Sequence, residues 1–162
     1  MKKYKWLIII LNLVILLVYF NFSVSKKEEL LKDGKLILLS LAPVDPRSLM
    51  QGDYMTLRYA LSQDLHSESL PKRGYCVVKL DENGVAERQR FQKDKTPLKQ
   101  GEYLINYTSS DSWNVNIGAE SYFFQEGQSK KYENAKYGAV KVDKEGNSLL
   151  IGLYGENLKQ IK

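Results

Sequence analysis

The residues best placed to do chemistry are Asp45, Arg47, Asp53 and Arg58, charges of both signs set close together around a proline- and glycine-marked connection. Such a cluster can serve as a turn network, in which a carboxylate accepts backbone N–H bonds while an arginine clamps another, or as a polar site offered to a ligand. The turn network is the expected role, with Gly52 supplying a backbone angle that a side chain would forbid. His66 is the sole histidine and lies in the polar stretch from Ser62 to Gly74, with no serine motif around it. A His-based nucleophilic triad is therefore not expected. Cys76 is the sole cysteine, which rules out an internal disulfide and a thiolate metal site, and zinc would need carboxylates at spacings the chain lacks. Neither a metal nor another cofactor is expected. Asp81, Asn83 and Gly84 resemble a fragment of a calcium loop, but the acidic ligands that should follow are missing, so a plain turn is expected there.

The elements that position these residues read mainly as strands. Over Asp53–Leu61, Met55, Leu57, Tyr59 and Leu61 share one face, while Tyr54, Thr56, Arg58 and Ala60 share the other. Tyr59 belongs with the core on this pattern, and Tyr54 is open to cover or to a partner. Lys35–Ala42, bounded by Gly34 and Pro43, reads as a buried strand, and Ser148–Leu153 as the last one. Val78–Gly84 and Val140–Gly146 each place Asp, two polar residues and Gly between strands, the pattern of a type I turn closing on a left-handed glycine. Gly101–Tyr107 and Trp113–Ile117 alternate like strands, with Ser109–Ser112 as their turn. A short helix is expected within Lys130–Tyr137. The expected fold is mainly β, a β-rich α+β domain built as a compact antiparallel sheet or barrel-like unit.

Ahead of that domain, Trp6–Phe20 is an apolar run interrupted only by Asn12. From Tyr4 to Phe22 a helix would be roughly 28 Å long, enough to cross a hydrocarbon core of about 30 Å. Lys2, Lys3 and Lys5 precede it, whereas Lys26 and Lys27 beyond it are followed at once by Glu28 and Glu29, so the positive-inside rule places the domain outside the cytoplasm. The division expected is a cytoplasmic tip and transmembrane signal-anchor over residues 1–25 and one extracytoplasmic domain over 26–162. A signal peptide cleaved after Ser25 is the alternative; the aromatic belt of Tyr19, Phe20 and Phe22 favours the uncleaved anchor. Asn12 is compatible both with a lone anchor and with a polar contact to another helix. Ser25 with Glu28 reads as a capping box opening a separate juxtamembrane helix that stops at Gly34. The formal charge of +5 is scattered, with no arginine block, which gives no support to nucleic-acid binding.

Gly52-Asp-Tyr-Met-Thr-Leu-Arg-Tyr59 has the pattern G-D-Y-x-x-L-x-Y and resembles the motif for which the bacterial GDYXXLXY family is named. Leu41–Leu49 resembles that family's P-V-D-P-R-x-L lead-in, Tyr122–Gly127 is similar to its Y-F-x-x-E-G segment, and Glu133–Gly138 with Leu149–Leu153 resembles its C-terminal end. Gln51 and Ala139 depart from it, standing where a basic and an acidic residue are usual. The resemblance singles out Asp45, Arg47, Gly52, Asp53, Tyr54, Leu57, Tyr59, Glu126 and Gly127 as binding or structural positions. It implies a membrane-anchored protein of unestablished biochemical role, often encoded beside a multi-pass membrane protein. A lesser likeness of Pro46–Met55 to signal-peptidase-like β folds meets Pro43 where those enzymes carry their serine, so it is architectural only. The expected role is a non-catalytic accessory module for an integral membrane protein. The alternatives are a cell-envelope hydrolase working through Asp45, Arg47, Asp53 and Tyr54, or a small-ligand or glycan binder using exposed Tyr and Trp113.

Overall fold

The structure is a computed structural model that describes residues 3–42, 50–51, 54–63, 70–111 and 114–162. Helix α1 (Lys3–Asp33) runs 31 residues without a break, about 46 Å at 1.5 Å per residue. The separate juxtamembrane helix expected from Ser25 does not exist. No glycine or proline interrupts residues 22–33, so helix already formed upstream propagates through Ser25, which has no orphan donors to cap. The stop at Gly34 holds: its N–H donates to the Leu30 carbonyl at 3.0 Å, and the Lys141 Nζ donates to its carbonyl at 2.9 Å. A Cβ at Gly34 would lie 2.3 Å from the Leu30 oxygen.

Ten strands follow among the described residues: β1 (Lys35–Ser40), β2 (Met50–Gln51), β3 (Tyr54–Thr56), β4 (Arg73–Leu80), β5 (Ala86–Gln92), β6 (Glu102–Asp111), β7 (Asn114–Asn116), β8 (Ser121–Phe123), β9 (Tyr137–Val142) and β10 (Ser148–Tyr154). A four-residue helix, α2 (Ser129–Tyr132), precedes β9. They pair antiparallel in three sheets, ordered β1-β9-β10, β2-β3-β8 and β5-β4-β6-β7. The domain is mainly β, as expected; its described strands form three separate open sheets rather than a closed barrel, since hydrogen-bonded pairing does not run on from one sheet to the next. One apolar cluster, including Ile37, Leu39, Met55, Leu57, Tyr59, Cys76, Val78, Ile105, Tyr107, Val140 and Leu153, joins residues from all three.

Both Asp-x-x-Gly turns form as expected. The Asp81 Oδ1 accepts N–H bonds from Asn83 and Val85, and the Asp143 Oδ1 from Glu145 and Asn147, with Gly84 and Gly146 at φ 79° and 86°. The strand expected over Asp53–Leu61 is shorter: β3 ends at Thr56 and a 3₁₀ turn takes Ala60–Ser62. Its pairing passes from one neighbour to another, because the Leu57 N–H goes to the Glu120 carbonyl while the Arg58 carbonyl accepts from Ala42. The turn expected at Ser109–Ser112 is displaced as well: β6 stays in its ladder to Asp111 through a register shift opposite β7.

The chain from Lys93 to Gly101 crosses from β5 to β6, which flank β4 on opposite sides. A guanidinium holds that crossing in place. Arg90 Nη1 and Nη2 donate to the two Glu102 carboxylate oxygens at 2.7 and 2.9 Å, and Nη2 also to the Pro97 carbonyl at 2.9 Å. The Lys99 N–H donates to the same carboxylate at 2.9 Å. The Arg90 bonds, and then that of Lys99, hold the Glu102 carboxyl down at about 2. A depressed carboxyl adds stability above its unfolded value near 4.5 and loses it as pH falls toward 2. Thermal melts of the full chain should therefore show Glu102→Gln less stable than wild type at neutral pH, with the gap closing between those two pH values. A gap that is constant across that range would contradict the ion pair.

Candidate functional site

Asp45, Arg47, Gly52 and Asp53 lie outside the described residues, as do His66 and Trp113. The remaining positions of the signature fall into two environments. Leu57 and Tyr59 are in the core at 2% and 1% exposure, whereas Tyr54 shows its ring at the surface. Alternation along an extended chain produces this split, since residues two apart point to the same side.

Tyr59 sits where three parts of the chain meet. Its hydroxyl donates to the Ala119 carbonyl at 2.5 Å, in the segment that joins β7 to β8. Its ring lies on Gly138 of β9, where an added Cβ would stand 2.9 Å from Cε1. Its backbone makes an isolated antiparallel bridge with Leu41, just past β1. Burial, reinforced by the Glu120 carboxylate, pushes the phenol far above the ordinary tyrosine range, so Tyr59 is a fixed neutral donor. Glu120 also accepts the Ile117 N–H, closing the same segment from the other end.

On the outer side, Tyr54 and Phe123 stand directly opposite each other across β3 and β8. Their ring centroids are 5.8 Å apart and tilted by 40°, and Phe123 is 74% exposed. Behind β8, Tyr122 meets Tyr132 of α2 edge-on at 5.1 Å, and Phe124 lies 5.5 Å from the same ring. Burial, then hydrogen bonding to Tyr132, pushes the Tyr122 phenol up to about 12. Glu126 and Gly127 are exposed in the turn leading to α2, with Gly127 at φ 79°. The structure thus pairs Tyr54 with Phe123 of β8 and packs Tyr59 on Gly138, while Glu126 contributes to neither contact.

Tyr54 meets Phe123 of β8 and Tyr59 lies on Gly138, and over the chain as a whole the family described as GDYXXLXY protein matches residues 16–153. The chain belongs to the GDYXXLXY family. No curated protein and no solved structure matches it. Within this GDYXXLXY protein, the Ala139 side chain is wholly buried, with Leu38 and Gly152 as its cross-strand neighbours.

Three features escaped the reading of residues alone. The Arg90–Glu102 pair joins residues twelve apart whose meeting depends on the crossing over β4. The acceptor for Tyr59 is a backbone carbonyl, which no side-chain pattern marks. The Tyr54–Phe123 pair depends on the register of β3 against β8, which neither segment carries in its own sequence. Gly138→Ala should destabilise the full chain by about 1–3 kcal/mol, because the new methyl collides with the buried Tyr59 ring. Chemical denaturation in mild detergent measures it, and a variant as stable as wild type would remove the packing claim.

Proposed function

We propose that this GDYXXLXY protein is a non-catalytic accessory module, held at the outer face of the membrane by α1 and engaging a multi-pass membrane protein. The observation that carries this reading is the placement of the described signature residues: Leu57 and Tyr59 are consumed in the core, while Tyr54 reaches the surface paired with Phe123. Aromatic rings exposed side by side are typical anchors of protein interfaces. The helix is long and apolar enough to cross a membrane. Lysines 2, 3 and 5 on its N-terminal side support an orientation with the domain outside the cytoplasm. On this reading residues 1–25 are the uncleaved anchor and 26–162 the working domain.

A ligand-binding role has one observation in its favour, the same Tyr54–Phe123 pair, whose ring faces suit the apolar faces of sugars. The hydrolase alternative would need a nucleophile near Tyr54.

Extraction in mild detergent followed by affinity capture should recover the chain together with an integral membrane protein. Replacing Tyr54 and Phe123 together by serine should lower that recovery severalfold while costing only about 1 kcal/mol of stability, the order of one lost cross-strand aromatic pair. Recovery of the chain alone would remove the module reading; binding of oligosaccharides lost in the same double variant would move the conclusion to the ligand role.

A further inference from the structure

The face of α1 that bears Asn12 is not random around the helix. At about 100° per residue, Lys5, Tyr19, Ser23, Lys26 and Leu30 all fall within about 40° of Asn12, while Asn21 falls on the opposite side. Asn21 donates its amide to the Leu17 carbonyl of its own helix at 2.9 Å. The Asn12 amide is exposed midway along the apolar run. Five turns beyond it the same face reaches Leu30, which at 7% exposure is the buried residue of α1 among those described. Leu30 packs where Gly34 and Lys141 close the helix end. The domain therefore overhangs the side of the helix on which Asn12 lies.

Charge and shape choose between occupants of that face. A parallel second copy would set Lys5 against Lys5 and Lys26 against Lys26 at equal depth, and would drive two domains into the space above one contact. A helix of a different protein meets neither obstacle. Resting on the module reading above, we propose that the Lys5–Asn12–Tyr19–Lys26 face docks a transmembrane helix of a second integral membrane protein. That helix carries a carboxylate or amide at mid-depth and acidic groups at the membrane boundaries, and the domain sits directly over it. Lys5 and Lys26 then pair at the two boundaries, and the amide finds its partner within the apolar layer.

The test is site-specific photo-crosslinking of the full chain in native membranes. Probes at Ile8 and Leu16 lie within about 40° of Asn12, and probes at Ile10 and Leu17 lie on the far side. Ile8 and Leu16 should yield adducts to one integral membrane protein, severalfold above Ile10 and Leu17. Asn12→Leu should reduce that yield roughly three- to tenfold, with Asn12→Gln restoring it. Moving the amide to the far side, by Asn12→Leu with Ile10→Asn, should not restore it. Adducts between two copies of this chain, equal yields from both faces, or indifference to Asn12→Leu would each overturn the proposal. If the partner is still captured in detergent while only Ile10 and Leu17 crosslink, the face assignment fails and the module reading stands. If nothing is captured, both fall.

Discussion

The buried hydroxyl of Tyr59 must find an acceptor, because an unbonded phenol in the core would cost the desolvation of that group. The Ala119 carbonyl is the acceptor, which fixes the segment between β7 and β8 against the strand that carries the signature. The ring behind that hydroxyl needs room, and Gly138 provides it on β9. One side chain thus sets the distance between the β1-β9-β10 sheet and the two sheets that share the β7–β8 connection. The pairing of β3 with β8, and with it the surface position of Tyr54 and Phe123, depends on this arrangement.

The same economy explains how tether and domain are joined. A helix that continues unbroken from the apolar run into β1 transmits its direction to the domain, and Leu30 with the Lys141–Gly34 bond fixes the junction. A flexible linker would let the domain sample a wide volume around its anchor. The continuous helix would instead hold one face of the domain in one place, as the proposed module would require to meet a particular neighbour.

Much of this was legible in the sequence, for identifiable reasons. Period-two alternation is a local property, so the inward set Met55, Leu57, Tyr59 and Leu61 and the outward set Tyr54, Thr56, Arg58 and Ala60 were readable from Asp53–Leu61 alone. The Asp81 and Asp143 turns were readable because a carboxylate, two polar residues and a glycine define their own geometry. The extent of β3 was not, since it depends on Glu120 and Ala42 supplying partners from elsewhere. Nor was the continuity of α1: a capping box at Ser25 is a start signal only where helix is not already present. The apolar anchor was plain in composition, but the coincidence of its Asn12 face with Leu30 needed the domain in place.

The account stands most directly on Tyr59 as a structural tie rather than a reacting group. Hydrogen exchange and chemical denaturation of full-length Tyr59→Phe measure this together. The account predicts a loss of about 1–2 kcal/mol, the cost of leaving the Ala119 carbonyl without its donor. Faster exchange should spread to the Leu41 and Leu57 amides, on the two segments that Tyr59 holds together. A variant with unchanged stability and exchange, yet unable to retain the membrane partner proposed above, would contradict it and make the Tyr59 hydroxyl a functional group in its own right.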